Sequence, residues 1–290
     1  MWPYTRHMNR PLRIEYSGAL YHVTARGDRQ DSIYRSDSNR LVWLSLLGQA
    51  CARFNFIVRA YCQMTNHYHL LLETPDGGLA RGMRYLNGNY SQYFNRQHDL
   101  VGHVYQGRYT GILCQSDRYI QALARYIELN PVRAGITSHP EKWLWSSYRA
   151  TIGLADTPAW LQPDLVLAQF GSNLAEARQG YQEFVRAGIR EPSPLRSVRN
   201  QLLLGDESFC QRIIGSDVPG DLAEIKREQR SAIVHPLHEY FKRYRNPKEA
   251  MARAYLSQGY SMPEIARFAR VSVKTVSRAL ESFLSEPPTP

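Results

Sequence analysis

Cysteine is scarce: four residues in 290, at positions 51, 62, 114 and 210. No two form a CxxC pair, which argues against a zinc ribbon or knuckle. Cys51, Cys62 and Cys114 sit among apolar neighbours and read as core thiols in a reducing compartment. Long apolar runs are lacking too, since nothing approaches the ~18 residues a membrane span needs. The basic start MWPYTRHMNRPLRIEY leads into no apolar stretch, so no signal peptide is expected. A cytoplasmic protein without a membrane partner is the expectation. Acidic side chains are in deficit, 26 against 36 Lys plus Arg, for a formal net charge of +10. Such an excess favours a polyanion, because basic surface attracts phosphate and releases its counterions. There are no repeats and no low-complexity tract.

What is present reads as alternating strands and helices. ALYHVTARG (19–27) alternates and ends at glycine, as a strand does. SDSNRLVWLSLLGQACARFN (36–55) carries Leu41, Leu44, Leu47 and Ala50 at helical spacing behind Ser/Asp caps. FIVRAYCQMT (56–65) and NHYHLLLET (66–74) read as two strands joined near Thr65–Asn66. Residues 79–99 predict a helix weakened by two glycines, 103–114 a strand or extended loop, and 116–135 a strong helix capped by Ser116 or Asp117 and stopped at Asn130–Pro131. The order β-α-β-β-α-β-α predicts an α+β domain of the ferredoxin-like split βαβ kind. Helices would cover one sheet face and leave the other open, where single-stranded nucleic acid can lie. Trp143, Trp145 and Tyr148 look like an aromatic clasp closing this domain.

Two segments carry chemistry. In MTNHYHLLLET (64–74), His67 and His69 are two apart on a strand and so share one face, while Tyr68, Leu70 and Leu72 take the other. Paired imidazoles can ligate a divalent cation, although with nine histidines in the chain a surface or half-satisfied pair is the favoured explanation of these two residues taken alone. In RYIELNPVRAG (125–135), Tyr126 and Asn130 are four apart and stack on one helix face. Alone, that is an amphipathic helix with a half-buried tyrosine. Beside two histidines, Asn130 offers a third, carbonyl ligand, and the mixed set suits Mg²⁺ or Mn²⁺ on a phosphate oxygen. Tyr126 would then stand near phosphorus as a nucleophile for phosphoryl transfer.

Taken together, YHVTARGDR, MTNHYHLLLE, VYQGRY and RYIELNPVRAG followed by WLWSSY resemble the single-tyrosine HUH transposases of insertion sequences, most closely the REP-associated tyrosine transposases, over roughly residues 9–150. The resemblance implies that His67 and His69 are metal ligands, that Tyr126 is the nucleophile, and that Asn130 is the third ligand where insertion-sequence relatives carry Gln. It implies cutting of single-stranded DNA beside hairpins at REP-like palindromes, a 5′-phosphotyrosine and a free 3′-OH, by a monomer or homodimer. Tyr68 stands at the middle hydrophobe of the motif.

Arginines near these motifs are candidate DNA contacts: Arg10 and Arg13, with Arg6, in a basic arm, and Arg26, Arg108 and Arg133 beside the site. YSMPEIARFARVSVKTVSRALESF (260–283) reads as a helix-turn-helix, with a Ser261/Glu264 capping box and Ile265, Ala266, Val271, Val276 and Leu280 as its core. Its second helix would present Lys274, Thr275, Ser277 and Arg278 to DNA. The expected organisation is a catalytic domain over 1–155, a helical middle region over 156–235, a DNA-binding domain over 236–284 and a tail over 285–290. Two other activities remain open: a domesticated, non-catalytic DNA-binding regulator, or a replication initiator or relaxase-type nickase of the broader HUH class.

Overall fold

The computed structural model describes residues 14–199, 201–214, 234–257 and 259–285. Arg6, Arg10, Arg13 and the tail residues 286–290 lie outside them. The chain divides into two compact units, one formed by Glu15–Val198 with Leu203–Gly205 and the other taking in the described residues from Asp206 onward.

The first unit is mixed α/β around an open five-stranded sheet of order β2-β3-β1-β4-β5. Its strands are β1 (Ala19–Arg26), β2 (Ile57–Gln63), β3 (His67–Thr74), β4 (Thr110–Cys114) and β5 (Leu203–Leu204). The first four pair antiparallel and β5 runs parallel to β4. Helix α1 (Asp37–Phe54) carries the chain from β1 to β2, and α2 (Leu79–Gln97) carries it from β3 to β4. Each crossover skips one strand, giving the split βαβ order. The fifth strand had no counterpart in the sequence reading, because two leucines between loops carry no periodicity.

Local chemistry explains the boundaries. The Ser36 side chain accepts from the Asn39 amide to start α1, and Asn55, in the left-handed conformation at φ 51°, ends it. The Met64 amide bonds the His67 carbonyl across the β2–β3 hairpin at 2.8 Å. Gly82 lies where a Cβ would strike the Phe56 ring, so this glycine lets α2 approach closely. The buried stripe of α1 is Trp43, Leu47, Ala50 and Cys51, whereas Leu41 is exposed. Leu47 and Ala50 are buried as the apolar spacing predicts, Leu44 is half-buried, and Trp43 rather than Leu41 opens the stripe.

Both sheet faces carry helices. On one, the Tyr68 ring stacks near Trp43 of α1 at 4.7 Å and its hydroxyl donates to Asn87 of α2 at 2.8 Å. On the other lies α3 (Ser116–Glu128), whose Ile120, Leu123, Ala124 and Ile127 join Leu20, Ala60, Cys62 and Leu71 in one core. The expectation of a bare second face is therefore corrected. The apolar side of α3 needs an apolar partner, and these small and aliphatic strand residues supply it. Helix α3 has no side-chain cap at Ser116 or Asp117. After Leu129 the chain continues through α4 (Asn130–Arg133) rather than stopping, since Pro131 sits in its first turn, where no amide donor is needed.

Packing also runs across the expected boundary at 155/156. Helices α5 (Tyr148–Thr151), α6 (Asp164–Leu167) and α7 (Leu174–Ala187) place Tyr148, Val166, Leu167, Ala177, Tyr181 and Val185 in the same core as α3. Between residues 158 and 171 of the expected helical middle region only α6 forms. The Trp143–Trp145 pair does clasp: the buried Arg40 guanidinium lies 5.3 Å from each indole, and Trp143 Nε1 donates to the Gln63 carbonyl.

The second unit holds α8 (Glu207–Ile214), α9 (Leu237–Arg243), α10 (Pro247–Leu256), α11 (Met262–Ala269) and α12 (Val273–Ser285). Tyr240, Met251, Ala254, Ile265, Ala266, Val276 and Ala279 form its core. The Ser261/Glu264 capping box opens α11, and Arg270 leaves it at φ 55°. Ser272 caps α12 through the Thr275 amide at 3.1 Å. Val271, expected in the core, is exposed within this turn. No helix among the described residues is long and apolar enough to cross a membrane.

Candidate active site

Register fixes the imidazoles. Thr24 pairs with His69 and Arg26 with His67 across β1 and β3, while His22 pairs with Leu71. Paired residues share a face and so do positions two apart, so His22, His67 and His69 all project toward α3. His22 Nε2 and His69 Nδ1 are 3.0 Å apart, and their rings stack at 5.2 Å and 9°. The His67 and His69 rings are 5.0 Å apart and nearly perpendicular.

Helix α3 brings Tyr126 onto this pair. Its phenol ring is half-buried and meets His69 edge-on at 5.9 Å and His22 at 6.0 Å. Leu123 and Ile127, buried on either side of it, anchor the helix to the sheet. Tyr126 is 57 residues from His69 in sequence (126 − 69), and the covering of the histidine face by α3 is what unites them.

The electrostatics keep the imidazoles neutral. Burial lowers His22 to about 4 and takes His69 well below the usual imidazole range, the latter aided by His22 and His67. Burial, with the Arg26 charge behind it, lowers His67 to about 4. Neutral imidazole is the ligating form. His67 Nδ1 is 2.7 Å from Asn66 Oδ1, so it donates there and leaves Nε2 with a lone pair. His69 Nε2 is buried and without a hydrogen-bond partner, and it is a lone-pair nitrogen in the tautomer whose Nδ1 donates to His22. Second partners that hold the far nitrogen of each ring are the usual support of metal-ligating histidines. The donor set thus fits a cation, while among the described residues no three His, Cys, Asp or Glu side chains converge as a ready cluster.

The other candidates fall in different places. The Asn130 amide nitrogen donates to the Tyr126 and Ile127 carbonyls at 2.9 and 3.3 Å, so this residue satisfies the end of its own helix. Arg26 and Arg108 are exposed, and the Gln106 amide bonds the Arg26 carbonyl, which sets the 103–109 loop beside the end of β1. Arg133 is turned inward: its Nη2 donates to the Gly188 and Glu191 carbonyls. Lys274 and Arg278 are exposed on α12. The Thr275 hydroxyl shares a hydrogen bond with Ser272, and the Ser277 hydroxyl donates to Glu281, so neither is directed solely outward as expected. His22 was missed, because a single histidine in an apolar strand reads as core. The usable signal was that β1 positions 20, 22 and 24 must share a face with whatever β1 pairs against.

Residues 15–130 match the family model described as "Transposase IS200 like". A curated relative from Haemophilus influenzae, named "Putative REP-associated tyrosine transposase", is 26% identical over a match covering 47% of this chain and 82% of the relative. A solved structure of a REP-associated tyrosine transposase bound to a REP hairpin is 16% identical, covering 55% of this chain and 93% of that one, with a TM-score of 0.44. Over residues 15–130 the chain is thus similar to the IS200-like transposases.

Proposed function

We propose that this protein nicks and rejoins single-stranded DNA beside palindromic hairpins, using Tyr126 as a covalent nucleophile. The observation that carries the reading is the edge-on approach of the Tyr126 ring to His69 at 5.9 Å, in a segment that matches a transposase family model. The name of the Haemophilus influenzae relative supports REP-like palindromes as the substrate class. The Tyr126 oxygen attacks the scissile phosphorus, the phenol loses its proton, and the bond from phosphorus to the 3′ oxygen breaks. The departing oxygen takes up a proton as a 3′-OH, and the 5′ side stays linked to Tyr126 as a phosphodiester. Later attack by a 3′-OH on that phosphorus releases the phenol and joins the strands.

His67 and His69 would hold a divalent cation, Mg²⁺ or Mn²⁺, through their Nε2 atoms, with the Asn130 carbonyl oxygen as the proposed third donor. When bound, such a cation neutralises and orients the phosphate. Arg26 and Arg108 would contact the backbone of the incoming strand. In the second unit, α11 and α12 joined by Arg270–Ser272 would act as a helix-turn-helix, with Lys274 and Arg278 on duplex phosphates and bases. Incubating the wild type with labelled single-stranded hairpin DNA and Mn²⁺ should give a denaturation-resistant protein–DNA adduct. Tyr126→Phe should give none while binding the DNA within about twofold of wild type, since only one hydroxyl is removed. An adduct persisting in Tyr126→Phe would rule the nucleophile out, and hairpin binding without any nicking by the wild type would instead favour a DNA-binding regulator.

A further inference from the structure

Arg133 was read from sequence as a phosphate contact, yet its half-buried guanidinium is committed to carbonyls of its own chain. The guanidinium carbon lies 5.3 Å from the Tyr126 ring centroid. Nη2 donates to two carbonyls, Gly188 at 3.2 Å and Glu191 at 2.9 Å, and Nε is buried. Both carbonyls follow α7, whose 14 residues end at Ala187 and run directly into the 3-10 turn Gly188–Arg190. A helix C-terminus presents unpaired carbonyls and a partial negative charge, which favour a cation. Arg125, beside Tyr126, reaches the same helix end: it lies 4.0 Å from the Phe184 ring centroid and donates to the Phe184 carbonyl. A Cβ at Gly188 would meet the Arg125 side chain, so glycine there admits the close approach.

We propose that Arg133 is a positioning residue for Tyr126, and that the end of α7 with its following turn is the jig that aims it. The proposal rests on the nucleophile assigned above and adds to it, because Arg133, Gly188 and Glu191 all fall outside the family-matched residues 15–130. A planar guanidinium can stack on a phenol and fork onto two carbonyls at once, which an ammonium cannot. A phenol in contact with both the histidines and a guanidinium loses ring orientations that would misplace its oxygen. Misplacement by about 1 Å is worth up to about a hundredfold in rate.

The test compares wild type, Arg133→Gln and Arg133→Lys, each also prepared with 3-fluorotyrosine at position 126. Three readouts are taken on the full chain: the ¹⁹F resonance at 126, the single-turnover rate of adduct formation on hairpin DNA with Mn²⁺, and the affinity for that DNA across a salt series. Both variants should shift or split the ¹⁹F resonance and slow the adduct about tenfold or more, with affinity within about twofold and an unchanged salt slope. An unchanged resonance in both variants overturns the proposal. So does recovery of the rate by Arg133→Lys together with a salt slope about one unit shallower in Arg133→Gln, the behaviour of a phosphate contact. A resonance that moves in both variants, when the wild type itself forms no adduct, would retain the jig and sink the nucleophile.

Discussion

Strand β3 presents two unlike faces. Toward α1 and α2 it sends Tyr68, Leu70 and Leu72, all fully buried, with Tyr68 held by an indole and a carboxamide. Toward α3 it sends His67, His69 and Leu71, and His69 sets one nitrogen against His22 of β1 and leaves the other buried without a partner. The first face satisfies every requirement of a core: volume, apolarity and a partnered hydroxyl. The second leaves a buried polar atom unpaired, at a cost on the order of 1–3 kcal/mol. A protein keeps such a cost where the group has a task, so one strand divides stability and chemistry between its two sides.

Substitutions can break that division. Trp43→Ala, on the first face, should cost about 3–5 kcal/mol in urea unfolding, while the folded fraction still forms adduct at the wild-type rate; a rate that collapses with stability intact would erase the contrast. His67→Ala, half-exposed on the second face, should do the opposite, slowing adduct formation about a hundredfold or more with little change in the unfolding midpoint. His22→Leu should weaken Mn²⁺ affinity about 10- to 100-fold, as loss of a second-layer partner does. Manganese titration by calorimetry reads this directly, and an unchanged affinity would remove His22 from the site.

The smallest effect concerns what holds α3 from behind. Glu128 is fully buried and accepts from Ser147, Tyr181 and Thr151, and burial pushes its carboxyl up to about 7 against the opposing pull of those hydroxyls. Between the ordinary carboxylate value and 7, the folded chain binds a proton that the unfolded chain has released. Stability contributed here is therefore greatest in mild acid, falls as pH rises toward 7 by at most about 1.4 kcal/mol per unit, and levels off above. Glu128→Gln should flatten that decline in melting temperature between pH 5 and 8. Parallel curves for the two proteins would show that Glu128 does not titrate there.

Much of this was legible because the signals were local. Alternation in NHYHLLLET put His67 and His69 on one face, and the Ser36 and Ser261/Glu264 caps marked helices where they occur. The meeting of Tyr126 with His69 needed one further step, that α3 has an apolar side which must land on a sheet. Tyr126 was expected beside the histidines on chemical grounds, while the face that carries them was expected to stay open rather than be covered by α3. His22 and the Arg133 contacts were not legible, since they depend on pairing with strands and turns about 50 residues away, where side-chain type alone carries no address. Asn130 was read as a ligand from its four-residue spacing to Tyr126, and the same spacing lets its amide close the helix end.

The central strand β1 is hydrogen-bonded along both edges, to β3 and to β4, so its register has no slack. A single inserted or deleted codon between Leu20 and Arg26 would rotate His22 into the aromatic layer and bring a valine or tyrosine under the phenol of residue 126. Missense changes at the rim can be absorbed one at a time, but a frame-preserving indel in this strand would exchange the two layers in one stroke. Lineages of this chain should therefore differ in loop length and hold the length of β1 constant.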